Sequence, residues 1–531
     1  MRVPSDVSTP RVSNAITSLI WLGPVIYMFL VGVYFLARYS GAWAESDSSA
    51  LTQAIVEFES QGRLIPDSVH VYANGFSYQA ISTFLIHATG IEVATLQRLV
   101  YPLLACLVVL PALLLYRELS GRVTGAVIGA LLLFTQPEFL FVVMRSSHEK
   151  FTRALMLFSL FLLLRSINVS NQPRVFAIYV SLFYVTIFAL IASNSFIAHS
   201  FVFAIGIALV VGWILNRRRS SGLDAVPATL SRLPYVLVTS FAGVYLFIFY
   251  VYPPAMHQLS VYETIWGQMA ALLLNTEIST PTNAYAVVST GWTSVYVYFI
   301  LSLANWIVLG ASFIVWSYQG IRWFWTRSES PAQTSLIIWL MYAAFAGQGF
   351  LSVLVDLSGA LSSNAQQRLF PSIAVFAVAI LVNAYIRWEP KRYSGALRLG
   401  FALLLLCVTA LSVFKATNEP LVSNTWIYYR PAEIAAIDWT ERHLDNSEVW
   451  TEFDQRLVVA YHTVRSESQV GNTYFGGPRT PTTQTIVTSD VSRMRSLRLT
   501  RELPVTTDSN RIYDNGTAEV YRIRPVTPYQ R

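Results

Sequence analysis

Two acids, Glu45 and Asp47, stand in the run Trp43-Ala-Glu-Ser-Asp47, a few residues past an apolar stretch at 16–39. That stretch is long enough to cross a bilayer, which takes roughly 20 residues of helix. The acids therefore sit at a membrane surface, where a carboxylate serves as a base, a metal ligand or a solvated loop acid. A second group lies at Arg145-Ser-Ser-His-Glu-Lys150, followed by Thr152-Arg153. Three cations, a histidine and a carboxylate share nine positions there. Charges at a bilayer edge are costly and usually pair or line a polar cavity. Snorkelling accounts for Arg145, Lys150 or Arg153 taken singly, but not for His148-Glu149 between them. At helical spacing Glu149 and Arg153 are four apart and can pair. Arg368 opens a later apolar run. Its planar fork suits phosphate oxygens; a topological anchor is the alternative. Asp47 also has a plain structural reading, as the N-cap of the helix after it.

The elements that must position these groups are membrane spans. Of the 531 residues, 54% are hydrophobic and only 13% charged, against about 25% charged in a soluble domain. Ten further apolar candidates follow the first, at 99–115, 124–143, 151–164, 175–192, 196–215, 234–251, 294–318, 336–355, 369–386 and 397–414. The segment 76–87 is too short to span and reads as a re-entrant or interfacial helix. The fold class expected is mainly α: a polytopic membrane helix bundle of about 11 transmembrane helices. The two cysteines, Cys106 and Cys407, lie inside apolar runs and indicate no disulfide framework. The first span reads as a signal anchor.

With the N-terminus in the cytoplasm, the inner loops carry sixteen Arg and Lys and the outer side before the tail carries seven. That is the asymmetry the positive-inside rule expects. An odd number of spans then places the tail, from Lys415, outside the cytoplasm. The tail holds 14 of the 30 acids. Short alternating segments at 449–453 and 518–522 read as strands, Gly476-Gly-Pro478 and Asp514-Asn-Gly516 as turns, and 431–443 as an amphipathic helix after a proline. The expected organisation is a transmembrane domain at 1–414, with a first outer loop at 40–98, and a small extracytoplasmic α/β domain at 415–531.

Within the first outer loop, Leu51, Ala54, Ile55 and Phe58 recur at i, i+3, i+4, i+7. This is an amphipathic helix at the membrane surface. The outer loop at 252–291, with an amphipathic stretch near 261–274, either covers a site as a lid or merely connects two spans. Of two glycosylation sequons, Asn515-Gly-Thr517 falls on the outer side and Asn168-Val-Ser170 on the inner.

This layout resembles the GT-C superfamily of integral-membrane glycosyltransferases over residues 16–414. The run from Trp43 to Ala54 looks like that family's first-loop acid motif. The run from Arg145 to Arg153 occupies the place of its second-loop motif. The resemblance implies a sugar transferred from a polyprenyl-phosphate-linked donor to a glycan, lipid or protein acceptor on the outer face. Asp47 is then the base, with Glu45 beside it. Arg145, His148, Glu149, Lys150, Arg153 and Arg368 hold the substrate. Oligosaccharyltransferases of this superfamily hold a divalent metal with acids of both loops. Glu45, Asp47, His148 and Glu149 would be the corresponding set for Mg or Mn, and the alternative is no metal, with Lys150 and Arg153 neutralising charge. Two features depart from the family's patterns: the tail has no Trp-Trp-Asp-Tyr-Gly run, as oligosaccharyltransferases have, and the first-loop acids are separated by Ser46, where many relatives of the protein mannosyltransferase type carry adjacent acids.

Two other classes compete. A transporter or lipid flippase places ionisable groups near the bilayer midplane, where the expected spans are nearly free of them. A non-enzymatic scaffold uses the outer domain to bind a surface polymer. Membrane lipids are partners in every case, and nucleic acid in none.

Overall fold

The computed structural model describes residues 12–39, 46–63, 74–145, 147–219, 239–256, 295–325, 332–357, 365–387, 395–418, 429–444, 449–450, 485–498 and 509–523, with single residues inside 263–274 and 502–505. Glu45, and the side chains of residues 46–50 with Asp47 among them, lie outside that description. So do most of the loop expected to act as lid or connector and the turn at 476–478.

The helices run in chain order as α1 (Val12–Tyr39), α2 (Ser46–Gln61), α3 (Ser77–Thr89), α4 (Val93–Ser120), α5 (Val123–Phe134), α6 (Pro137–Met144), α7 (Glu149–Asn168), α8 (Pro173–Ser193) and α9 (Ser195–Arg219). They continue as α10 (Thr239–Val251), α11 (Val295–Leu301), α12 (Leu303–Gly320), α13 (Gln333–Leu357), α14 (Ala365–Arg387) and α15 (Gly395–Ala416). Seven of these are long and apolar enough to cross a membrane, and eight if the bent pair α5–α6 is one span. All eleven expected stretches are helical over their described residues, apart from short breaks in two of them. α10 and α15 are the shorter apolar helices, and the stretch at 294–318 is interrupted at Ser302. The third expected stretch is not straight: α5 and α6 meet at 79°. Pro137 at the start of α6 lacks an amide proton and its ring obstructs the preceding turn, so the helix breaks at Thr135-Gln136 and restarts in a new direction.

α4 and α5 approach closely because one face of α5 is small. Gly125, Ala126, Gly129 and Ala130 are buried, and a Cβ on Gly129 would lie 2.5 Å from the Tyr116 ring. Small residues at such spacing are how membrane helices bring their backbones together.

Polar contacts gather at the two ends of the bundle. At one end Arg38 of α1 donates to Asn418 (2.7 Å) just past α15, Lys415 pairs with Glu138 of α6, and the residues 145–153 meet Asn194 and α14. At the other, Glu118 of α4 accepts from Arg165 (3.4 Å) and Asn168 (2.7 Å) of α7, and Arg117 lies over Trp21. Asn168, of the expected inner sequon, thus sits with the opposite end.

The C-terminal part is a small α/β unit. α16 (Pro431–His443) starts with its proline at the first helical turn, where a missing amide costs nothing. Four strands, β1 (Val449–Trp450), β2 (Thr485–Ser489), β3 (Ser509–Asp514) and β4 (Ala518–Ile523), pair in the order β1-β2-β4-β3. β1 and β2 are parallel and the other pairs antiparallel. A last helix, α17 (Asp490–Arg498), follows β2. Tyr429, Ile437, Val487 and Val520 form the core. The hairpin between β3 and β4 turns at Asp514-Asn-Gly516, as expected, with Gly516 at φ 87°. Asn515 is bound there: its amide donates to the Ala432 carbonyl at 2.7 Å and its oxygen accepts from Ala518 N.

Candidate functional site

The residues 145–153 form a knot at one end of the bundle. α6 ends at Met144, Arg145 leaves it with φ −56° and ψ 154°, and α7 begins at Glu149. Lys150 folds back into the turn, its ammonium donating to the carbonyls of Arg145 and Ser147. The same ammonium lies 5.2 Å from the centroid of the Tyr101 ring. Lys150, expected among the substrate ligands, is therefore turned toward the loop's own backbone, because buried carbonyls there need a donor.

The pair allowed by helical spacing forms. Arg153 Nη2 lies 3.0 Å from Glu149 Oε2. Arg153 is wholly buried and also reaches across to α14, donating from Nη1 to Ser372 Oγ (2.6 Å) and from Nη2 to the Arg368 carbonyl (3.1 Å). It thereby fixes the start of α14, on which the Arg368 side chain is exposed. Arg145 is buried, stacked 4.9 Å from the Phe141 ring centroid.

His148 sits among these charges. Its Nε2 lies 2.8 Å from Asn194 Nδ2 and 3.9 Å from Glu149 Oε1. Burial pushes its imidazole down to about 4; Glu149 pulls the other way, and Arg145, Arg153 and Arg368 add to the effect of burial. Arg153 is what joins the two parts of the chain here, through its bonds to the Arg368 carbonyl and to Ser372, 215 and 219 positions away. Asn194 is the one extended residue between α8 and α9. Its neighbours bind both loops: Ser193 meets Thr152 (2.9 Å), and Ser195 N donates to the Asn74 carbonyl (2.8 Å).

The first loop packs onto this knot through apolar and aromatic side chains. The expected amphipathic helix is α2, and Leu51, Ala54 and Ile55 are buried as its periodicity required. Leu51 and Ile55 join Tyr78 of α3, Tyr101 of α4 and Phe151 of α7 in one cluster. The Phe151 ring lies 6.2 Å from Tyr78 and 5.6 Å from Tyr101. Thr52 of α2 donates to Gln97 at 2.8 Å, on a π-helical turn of α4. α2 starts at Ser46, so Asp47 stands inside its first turn rather than at the cap. An acid in the first turn is favoured by the helix dipole.

The arrangement gathers Arg145, His148, Glu149, Arg153 and Arg368 and sets the helix carrying Asp47 on the other side of the Phe151 cluster. Among the described residues, buried Arg145 and Arg153 lie at this end with the start of α14, which carries Arg368, and guanidinium groups suit an oxyanion such as a phosphate. The described half of the expected metal set does not suit a cation. His148 Nε2 is already engaged by Asn194, Glu149 is paired with Arg153, and a divalent ion there would face the arginines. No group of three or more metal-ligating side chains occurs among the described residues. Asn194, Ser193 and Ser372 carried no signal beyond being polar residues beside apolar runs.

No family model matches the chain, and no curated protein matches its sequence. Its fold does match solved structures. ArnT from Cupriavidus metallidurans, bound to undecaprenyl phosphate, is similar over 94% of this chain and 98% of its own, with a TM-score of 0.54 and 11% identity. The oligosaccharyltransferase of Archaeoglobus fulgidus, tethered to an acceptor peptide containing the NVT sequon, is similar over 88% of this chain and 69% of its own (TM-score 0.51, 12% identity). Another structure of that oligosaccharyltransferase, in complex with Zn and sulfate, gives a TM-score of 0.51 at 14% identity, over 84% of this chain and 62% of its own. The fold of this chain, a multi-pass membrane helix bundle, is thus shared with both of these proteins. At these identities the likeness speaks for the fold alone.

Proposed function

We propose that this protein is a membrane glycosyltransferase that takes a sugar from a polyprenyl-phosphate-linked donor. The observation that carries the reading is the buried Arg153, which pairs with Glu149 and donates to Ser372 and the Arg368 carbonyl, joining the start of α14 to the His148-Glu149 knot. That knot shares an apolar cluster with the helix on which Asp47 stands. The likeness in fold to ArnT and to an oligosaccharyltransferase supports it.

In the proposed reaction an acceptor hydroxyl oxygen attacks the anomeric carbon and the bond from that carbon to the donor's phosphate oxygen breaks. Asp47 takes the hydroxyl proton, and Glu45 keeps it placed. The electron pair leaves on the lipid phosphate, whose growing charge Arg145 and Arg368 neutralise. Arg153 and Lys150 build the loop that presents them. The residues that meet at the knot favour an anion over a metal, so no step is assigned to one. The reading places the N-terminus in the cytoplasm, the site and the unit at 415–531 outside it, and the acceptor among glycans, lipids or proteins.

The test is release of polyprenyl phosphate from a radiolabelled polyprenyl-phosphate hexose by the purified protein in proteoliposomes. Asp47→Asn is expected to lower turnover by about 10²-fold or more, the scale of a lost general base, with lipid binding retained. Turnover within a few-fold of wild type would remove Asp47 from the mechanism.

A further inference from the structure

We infer that Asn194 is a positioning residue that holds His148 as a neutral ring, protonated at Nδ1 and unprotonated at Nε2, so that the positive charge of the knot comes from its arginines and Lys150 and none from the imidazole. The argument begins with the Asn194 amide, whose two ends are told apart by their partners. Its Oδ1 accepts the backbone N–H of Ile197 at 3.1 Å, capping α9. A backbone N–H can only donate, so Nδ2 is the end that faces His148 Nε2 at 2.8 Å. Nδ2 has only hydrogens to offer. A proton on Nε2 would set two donors against each other at that distance. The ring therefore accepts at Nε2 and carries its proton on Nδ1.

The surroundings act in the same sense. Among the described residues, the charged groups that act on the ring are Glu149 and Arg153 from α7, Arg145 from the end of α6 and Arg368 from α14. Of these groups Glu149 favours an imidazolium, and its other oxygen is already held by Arg153 at 3.0 Å. His148 is 5% exposed and Asn194 4%, so water offers the ring little alternative. Asn194 is itself locked by its place: one residue between two long helices, with Ser193 and Ser195 each bonded to a different loop. Its functional side deepens the proposed phosphate site and rests on that reading; the protonation state does not. If the knot binds a lipid phosphate, the binding should follow the phosphate's own second ionisation, at about pH 6, and should be changed by no histidine titration.

The experiment is nitrogen-15 NMR of the full chain in nanodiscs, with label only in the seven histidines. The His148 signal is the one that disappears in His148→Gln. In wild type it should show a bare Nε2 and a protonated Nδ1, unchanged between about pH 5 and 8. A protonated Nε2, or exchange between the two tautomers, would overturn the inference. Asn194→Asp supplies the second measurement. Its carboxylate keeps an oxygen for the Ile197 N–H and turns another toward Nε2, which then has to carry a proton. His148 should become Nε2-protonated, and the pH profile of undecaprenyl phosphate binding, set in wild type by the phosphate's own ionisation, should differ in shape in the variant. An unchanged His148 pattern in this variant would also refute Asn194 as its cause. Failure of wild type to bind undecaprenyl phosphate would count against the phosphate reading while the NMR result stood.

Discussion

Glu149 and Arg153 were paired by their spacing alone, and the pair forms at 3.0 Å. Helical periodicity carries such local contacts because four residues make about one turn. The partner of His148 is not local: Asn194 is 46 residues away, and Ser193-Asn194-Ser195 looks like any polar link between two spans. What His148 does to stability follows from its surroundings. Its folded value of about 4 lies below the ordinary 6.5. Between those values the unfolded chain binds a proton that the folded one refuses, so stability rises with pH across that window. The contribution is present above 6.5 and is lost as pH falls toward about 4. The melting temperature of wild type should therefore fall more steeply than that of His148→Gln on acidification through this window. Parallel curves for the two proteins would show that His148 is not the group responsible.

At the scale of elements, the i, i+3, i+4, i+7 pattern located α2, and its apolar face is buried against α3 and α4. Periodicity says which face is buried but not the direction of the helix axis, which is why the 79° turn between α5 and α6 was lost inside one apolar run. Pro137 was the available signal. How the first loop is joined to the bundle depends on backbone contact, which leaves no hydrophobic pattern. Gly75 packs directly on the end of α8: a Cβ there would lie 2.2 Å from the Ala192 carbonyl oxygen. Backbone cannot yield as a side chain can, so Gly75→Ala should push the loop away from the α8–α9 junction and weaken the bonds from Ser195 to the Asn74 carbonyl. The expected cost is about 1–3 kcal/mol, as for other overpacked sites. Thermal unfolding of the variant in detergent measures it, and an unshifted midpoint would mean that the junction accommodates the methyl group.

For the whole molecule, the number and places of most spans follow from composition, since a bilayer demands long uncharged runs. Alternation of spans also implies which loops share an end, and Arg38, Glu138, the 145–153 knot, Arg368 and Lys415 do gather at one end. Which of them touch is another matter. Glu138 lay inside an expected span and Lys415 at the start of the tail, 277 residues later. The bend before α6 brings them into contact, and Lys415 is fully buried, with its ammonium 4.5 Å from the Tyr298 ring centroid. This ion pair, together with the bond from Arg38 to Asn418, ties the first, third and last apolar stretches together beside the chain's exit to the C-terminal unit. Removing one member strands the other. Lys415→Met leaves a carboxylate of which Oε2 already has no hydrogen-bond partner. Breaking a fully buried pair costs about 3–5 kcal/mol, and less here because Glu138 keeps 20% of its side chain exposed. Glu138→Gln in the same chain removes the stranded charge, so the double variant should melt above Lys415→Met alone. A double-mutant cycle reads the coupling directly. Additive losses from the two substitutions would mean that the pair does not hold this end of the bundle together.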